Sequence, residues 1–474
     1  MARDRIYLTK INEVWMRVST EPSVAYELAD NFSFMSPNAK FDPRVRNKVW
    51  DGKIRLFNVN TGLIYVGLLD AIKEFADTRN YDVELDDTFD NDIDNYIIPE
   101  LTKTPRDYQI EALSYAVKNK RGVLLSPTAS GKSLIIYMLV ENFSDHKALI
   151  VVPTTSLVFQ MKTDFEDYAG RPLDIHCITA GVDKLTKDPI VISTWQSIYK
   201  MPKSWFAQFG VVIGDEVHGF EAKSLKAIME KLDDCKYRFG FTGTLTGTAT
   251  NRMTLEGLFG PVKVVTTTSE LQESGHIAQL KIKSIVLKYK DEYRKLVSKM
   301  DFHDETDFLN KYEMRNKFLR NLVLSFDKNS LLLFKNIEHG KELYKMIQDK
   351  DPDRDVYLIY GGVDAEDREE IRRILDSKSN AILVASYGTF STGVNVPNLH
   401  NVVLGAAYKS RVKVLQSIGR GLRLHSEKDF LTVYDIVDDL KYKVRSNFTL
   451  IHFSERLNIY NSEGFDVRIH TVEI

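Results

Sequence analysis

Three short stretches carry residue types that chemistry uses. SPTASGKS (126–133) offers Lys132 and Ser133 behind a run of small residues, DEVH (215–218) offers two acids and a histidine, and QSIGRGLR (416–423) offers Arg420 and Arg423. A loop of small residues ending in Gly-Lys-Ser can wrap phosphate oxygens in backbone N–H groups. The lysine then reaches the β and γ phosphates and the serine hydroxyl helps to hold Mg²⁺. The first glycine of that pattern is replaced here by Ser126. Spelling alone leaves a plainer reading open, a polar turn between strand and helix.

The flanking residues favour the phosphate loop. Gly122-Val-Leu-Leu125 is an apolar run of strand length, and Leu134, Ile135, Met138 and Leu139 recur at helical spacing. Strand, loop, helix is the order that aims the N–H groups of a helix start at the loop, so Thr128, Ser130, Gly131, Lys132 and Ser133 are the candidate nucleotide-binding residues. DEVH ends the apolar run FGVVIG (209–214), and ligands of open parallel sheets lie beyond the carboxyl ends of strands. There Asp215 would hold Mg²⁺ and Glu216 would orient and deprotonate an attacking water. Arg420 and Arg423 share one side of a helical turn, placed to reach a γ phosphate from a second unit. With Gln416 they complete the candidate catalytic set Lys132, Asp215, Glu216, Gln416, Arg420 and Arg423. DEVH by itself is four residues that chance can supply; following a strand–loop–helix GKS in the right order, it is a strong signal.

The chain that must position these residues has 474 of them, enough for about three units. After residue 98, β-like runs alternate with helical patterns: KALIVV (147–152) and FGVVIG in one series, and LLLF (331–334), VYLIY (356–360), AILVA (381–385) and NVVLG (401–405) in another. Such alternation predicts two parallel sheets, each covered by helices. The expected division is 1–98, 99–279 and 280–474. In the first segment FDPRVRNKVWDGKIRLF (41–57) sets Arg44, Arg46, Lys48, Lys53 and Arg55 around Trp50, a basic patch that suits phosphate contact or simply solubility. Lys53–Phe57 alternates as a half-buried strand would. From Asp82 to Asn95 seven acids occur without Lys or Arg, which reads as a solvated linker over 82–98.

Composition excludes some classes. The formal net charge of −2 names no partner. Cys177 and Cys235 have no CxxC or histidine partner and read as small buried residues rather than metal ligands. The charged N-terminus lacks a signal-peptide core and no run approaches the ~18 apolar residues of a membrane span, so the expectation is a cytoplasmic protein without a membrane partner.

The ordered set TPRDYQ (104–109), SPTASGKS, VVPTTSLVFQ (151–160), STWQS (193–197), DEVH, FTGT (241–244), LLLFKN (331–336), STGVNVP (391–397) and QSIGRGLR resembles the motif series of superfamily 2 helicases. VWDGKIRL, VPTTSLVFQM and VASYGTFSTGV are similar, more narrowly, to the phage UvsW-type helicases of branched DNA, over nearly the whole chain. That resemblance implies an α/β fold of two tandem RecA-like lobes behind a small α+β N-terminal domain, driven by ATP and Mg²⁺. It implies that Arg106 and Gln109 recognise adenine, that Gly393 lies at the nucleotide, and that His218, Thr242 and Thr244 couple hydrolysis to movement. It implies nucleic-acid contacts from Pro153, Thr154, Thr155, Thr194, Gln196, Lys335 and Ser386, although Ser and Thr after strands also start helices. Asn395 stands where many members carry Asp. The implied activity is unwinding, branch migration or fork reversal of branched, forked or single-stranded DNA, in host cytoplasm if phage-encoded, with an RNA–DNA hybrid as a further candidate substrate. An RNA helicase, a duplex translocase and a binding module with an inactive loop are the alternatives.

Overall fold

The structure is a computed structural model that describes residues 4–36, 39–89, 95–127, 129–218, 223–243, 245, 249–363, 370–371, 373–375, 377–393, 398–406 and 430–474. Met1–Ser126 with Gly131–Thr266 form one compact unit, and Pro127–Ser130 with Thr267–Ile474 form the other.

The first unit begins with β1 (Arg5–Lys10), β2 (Trp15–Ser19), β3 (Ser33–Met35), β4 (Lys53–Arg55), β5 (Leu63–Tyr65) and β6 (Asp82–Leu85). These make a mixed sheet in the order β5-β2-β1-β6 and a separate β3-β4 ribbon. The acidic stretch expected to be linker from residue 82 therefore starts as a strand. Its acids and apolar residues alternate, Val83 packs against the core, and Glu84 meets Arg5 across the edge at 3.1 Å.

Seven parallel strands follow: β7 (Arg121–Leu125), β8 (Ala148–Val152), β9 (Ile175–Ile178), β10 (Ile190–Thr194), β11 (Val211–Asp215), β12 (Tyr237–Thr242) and β13 (Val262–Val264), in the order β13-β7-β12-β11-β8-β10-β9. Their near-continuous apolar runs are what a sheet buried on both faces requires. The period of two divides each run between two cores. Leu124, Ile150, Val152, Ile192 and Ile213 face one, and Val123, Leu149, Val151, Val191 and Val212 face the other.

That second core also holds Ile6, Leu8, Val24, Leu28, Tyr65, Leu68 and Phe75 of the N-terminal sheet and helices. The N-terminal domain and the first lobe therefore share one apolar interior. Polar contacts close the joint: the Tyr65 hydroxyl donates to Glu230 Oε1 at 2.6 Å, the Glu13 amide donates to Asp233 O at 2.8 Å, and Arg121 Nη2 donates to Glu13 Oε2 at 2.7 Å. Gly67 sits so close to the helix Ala249–Phe259 that a Cβ there would lie 2.0 Å from the Glu256 carbonyl oxygen. Only glycine permits that approach. Arg238, fully buried, donates to the carbonyls of Met229, Leu232 and Leu258, so it satisfies the open C-terminal ends of two helices at once.

The second unit contains β14 (Gln279–Lys288), β15 (Ser330–Phe334), β16 (Val356–Ile359), β17 (Ile382–Ser386), β18 (Asn401–Leu404), β19 (Phe430–Asp439) and β20 (Val467–Glu473), all parallel, in the order β16-β17-β15-β18-β19-β14-β20. Sequence reading missed β20, whose residues are mostly exposed on an edge, although Val467 and Ile469 alternate with polar residues. Two ion pairs are buried beneath β19. Arg315 meets Asp438 at 2.8 Å and Arg456 meets Asp435 at 2.9 Å, with Tyr289 and Tyr460 donating to the same carboxylates at 2.6 and 3.0 Å. Buried Glu305 accepts from the backbone N–H groups of Phe448 and Thr449 at the start of the helix Phe448–Ser462.

Candidate nucleotide site

In the first unit, β7, β12 and β11 are neighbours, so the three segments that follow them emerge side by side at the carboxyl edge of the sheet. The loop after β7 leads into the helix Lys132–Asn142, with Gly131 as its left-handed N-cap at φ +80°. Ser126, the departure from the glycine pattern, is fully buried, its N–H donates to Thr242 O at 2.9 Å, and it is not among the residues with positive φ. A serine is therefore tolerated there, and the left-handed turn falls on Ala129 (φ 70°) and Gly131 instead.

Lys132 Nζ lies 2.9 Å from Glu216 Oε1. The Glu216 amide donates to Asp215 Oδ1 at 3.0 Å, and His218 Nδ1 stands 3.3 Å from Glu216 Oε2 and 3.2 Å from Thr242 Oγ1. Lysine, two acids, histidine and threonine thus form one connected polar cluster at three strand ends. Burial pushes the Asp215 carboxyl up to about 6, opposed by the Lys132 ammonium and reinforced by the negative charge next to it. Burial works on Glu216 in the same direction, but Lys132 and the hydrogen bond with His218 outweigh it and hold that carboxyl well below the usual range. Glu216 also has φ +55°, a conformation that costs a non-glycine residue of order 1–3 kcal/mol and tends to mark working sites. Its Oε2 is buried, with the His218 ring nitrogen beside it.

Gln109 is tied to the loop. Its Oε1 accepts from the Arg106 N–H at 2.9 Å and its Nε2 reaches Gly131 O at 3.4 Å, while Arg106 Nη1 donates to the Tyr108 hydroxyl at 2.7 Å. The Ser130 hydroxyl donates to Pro127 O at 2.7 Å. Ser133 Oγ lies 2.7 Å from the Tyr168 hydroxyl. Tyr168 lies 35 residues from its partner, so no local pattern announces it.

Among the described residues no group of three or more His, Cys, Asp or Glu could hold a metal. The expected donors, Asp215 and Ser133, are one carboxylate and one hydroxyl, a set that would suit a cation such as Mg²⁺ held largely by substrate phosphates and water. Thr128, Thr244, Asn395, Gln416, Arg420 and Arg423 lie outside the described residues. Gly393 closes the helix Tyr387–Gly393 of the second unit.

The residues expected along nucleic acid differ in availability. Thr154 is the N-cap of the helix Thr155–Ala169 without a side-chain cap bond, its hydroxyl 3.1 Å from Ser156 Oγ, and Pro153 beside it is half-buried. Thr155 and Gln196 are exposed, whereas Thr194 is buried with its hydroxyl 2.9 Å from Ser197 Oγ. In the second unit Lys335 is exposed over the Phe302 ring at 5.1 Å, and the Ser386 hydroxyl donates to Thr389 Oγ1 at 2.9 Å.

In the N-terminal domain the patch is more selective than its composition. Arg44 pairs with Asp42 at 2.8 Å and Arg55 pairs with Asp51. Lys53 is half-buried, while Arg46 and Lys48 are exposed and form no ion pair among the described residues. Trp50 is half-buried, donates Nε1–H to Lys53 O at 2.9 Å and has the Arg44 guanidinium 4.9 Å from its ring.

Residues 10–86 match the family described as "DNA helicase UvsW, N-terminal", residues 102–247 match "Type III restriction enzyme, res subunit", and residues 314–425 match "Helicase conserved C-terminal domain". The "ATP-dependent DNA helicase uvsW" of Enterobacteria phage T4 is 36% identical, over 97% of this chain and 98% of that protein. The chain belongs to the UvsW family of superfamily 2 helicases. The crystal structure of T4 UvsW aligns over 99% of both chains with a TM-score of 0.51 and 35% identity. A "DNA 3'-5' translocase XPB2" from Sulfurisphaera tokodaii is 26% identical over 76% of this chain and 88% of its own length. A DNA-bound Type ISP restriction-modification enzyme, LlaBIII, at 16% identity and TM-score 0.60, shares the fold over 78% of this chain and 32% of its own. Like other members of the UvsW family, the chain is a helicase-type ATPase with two RecA-like lobes and a small α+β domain before them. No helix among the described residues is long and apolar enough to cross a membrane.

Proposed function

We propose that this chain is an ATP-driven DNA motor that remodels branched DNA, by branch migration, fork reversal or unwinding, in phage replication, recombination and repair. The observation that carries the reading is the Lys132–Glu216–Asp215–His218–Thr242 cluster, in a chain whose T4 relative is named an ATP-dependent DNA helicase. Nucleotide phosphates compete with Glu216 for the Lys132 ammonium, which leaves the Glu216 carboxylate to orient and deprotonate the attacking water. Its buried Oε2, which faces His218 Nδ1 at 3.3 Å, is the acceptor that task needs. Gln109 and Arg106 meet the base, and Ser130 and Gly131 shape the loop. Ser133 and Asp215 would hold Mg²⁺, which would supply positive charge to the nucleotide phosphates. His218 links the acids to Thr242, the end of β12, and so carries a change at the phosphates into the sheet.

In this reading residues 1–98 hold DNA near the junction, 99–279 bind ATP and 280–474 form the second lobe, whose Arg420 and Arg423 supply charge to the transferring phosphoryl group. Steady-state ATPase with single-stranded DNA, duplex, four-way junction and single-stranded RNA tests it, with Lys132→Ala as control. Strong stimulation by junction or single-stranded DNA, lost in the variant, is the expected outcome. Stimulation by RNA alone would transfer the assignment to RNA.

A further inference from the structure

We propose that Phe41, rather than Trp50, is the aromatic contact on which an unpaired nucleobase at the branch point stacks. The inference rests on the DNA-remodelling reading and assigns one of its contacts.

Trp50 is already occupied. Its N–H is bonded to Lys53 O, Arg44 stands over its ring and the residue is half-buried, so the indole holds the segment together. Phe41 is different: it is 82% exposed. A single exposed apolar residue is ordinary on a protein surface, but this one is mounted on fixed backbone. Neighbouring Ala39 is buried, the Asp42 N–H donates to Ala39 O at 3.1 Å, and the Asp42 carboxylate caps the helix Pro43–Arg46. Gly52, at φ +78°, packs so tightly on Ala39 that a Cβ there would lie 2.8 Å from the Ala39 Cβ, and its carbonyl accepts from Ser36 N–H at 2.8 Å. A ring held out on a braced turn loses little freedom when a base covers it.

The charges agree with that placement. Of the five cations in the segment, Arg44 and Arg55 are spent on Asp42 and Asp51 and Lys53 is half-buried. Arg46 and Lys48 remain, exposed and without an ion pair among the described residues, at the exit of the helix whose entrance carries Phe41. Arg46 and Lys48 follow the ring by five and seven positions on the same turn, and an aromatic contact for a base beside cations for phosphates is the pairing that single-strand binding sites use. The base of the turn, through Phe32, Leu56 and Phe57, belongs to the apolar core shared with the first lobe. Phe41 therefore stays fixed relative to Lys132, and a strand moved by the motor is drawn past a stationary ring.

The test uses the full chain and a synthetic fork carrying 2-aminopurine at the first unpaired position. Fluorescence and fork-stimulated ATPase are read for Phe41→Ala, Phe41→Leu and Phe41→Trp. Wild type should quench the probe. Phe41→Ala and Phe41→Leu should lose the quench and raise the half-maximal fork concentration roughly 5- to 100-fold. Phe41→Trp should restore both, and DNA-free ATPase and the melting temperature should be unchanged throughout. Wild-type quench and affinity in Phe41→Ala would overturn the proposal, and so would full activity of Phe41→Leu, since an aliphatic contact is not stacking. A wild-type protein that no DNA stimulates would instead overturn the DNA-remodelling reading, and this inference with it.

Discussion

Glu216 in the first unit and Asp438 in the second both face a cation, at 2.9 Å from Lys132 and 2.8 Å from Arg315, the first pair part-buried and the second fully buried. Asp438 is saturated: it accepts from Arg315 Nε and Nη2 and from the Tyr289 hydroxyl, and Arg315 also donates to Gly405 O. Glu216 divides its carboxylate between Lys132 and His218, has a left-handed backbone and neighbours an acid that burial raises to about 6. Pairing with a cation alone does not mark a working site. Stored strain and competing partners do, because reaction requires groups that gain by changing partners.

The same carboxylate-to-amide change should therefore act oppositely in the two places. Asp438→Asn leaves Arg315 buried without its counter-charge and should destabilise the protein by about 3–5 kcal/mol in urea unfolding. Glu216→Gln should lower kcat about 10²–10³-fold in steady-state ATPase while moving the unfolding free energy by less than about 1 kcal/mol, because it also relieves repulsion with Asp215. Equal stability losses in the two variants would erase the distinction.

His339 sharpens it further. Its Nε2 donates to Asn316 Oδ1 at 2.9 Å, and burial first, then the nearby Arg315 charge, push its pKa down to about 3, with Asp438 pulling the other way. The native state therefore binds fewer protons than the unfolded chain between about pH 3 and 6.5. This contribution is fully present above pH 6.5 and is lost as pH falls, at no more than about 1.4 kcal/mol per pH unit. The urea midpoint of His339→Gln should vary less than that of wild type between pH 6.5 and 5.

The smallest effect concerns Tyr168. Tyr168→Phe removes one hydrogen bond to Ser133, worth about 1 kcal/mol, and should shift the Mg²⁺ dependence of ATPase by no more than several-fold.

The phosphate loop and DEVH were legible because each is short, contiguous and flanked by periodic apolar residues. The strands of both sheets were legible where they are buried on both faces, as in KALIVV and LLLF. The Ser133–Tyr168 pair was not, since it joins residues a whole β-α unit apart. Nor was the shared interior of the N-terminal domain and first lobe: Tyr65 and Leu68 look like any core residues, and their packing partners lie across the chain. Acidic residues from Asp82 suggested linker, yet Val83 among them supports a strand. Asp42 and Asp51 stand in plain view among the cations around Trp50, but that they pair with Arg44 and Arg55 and leave Arg46 and Lys48 was not legible.

The close seat of Gly67 on Glu256 also has a timing consequence during synthesis. Part of the apolar surface of the N-terminal domain is covered by the helix Ala249–Phe259, which leaves the ribosome about 160 residues after β6; at about 5–20 residues per second that is a wait of roughly 8–30 s. Through that interval the part of the N-terminal domain's apolar surface that this helix covers has no cover from it.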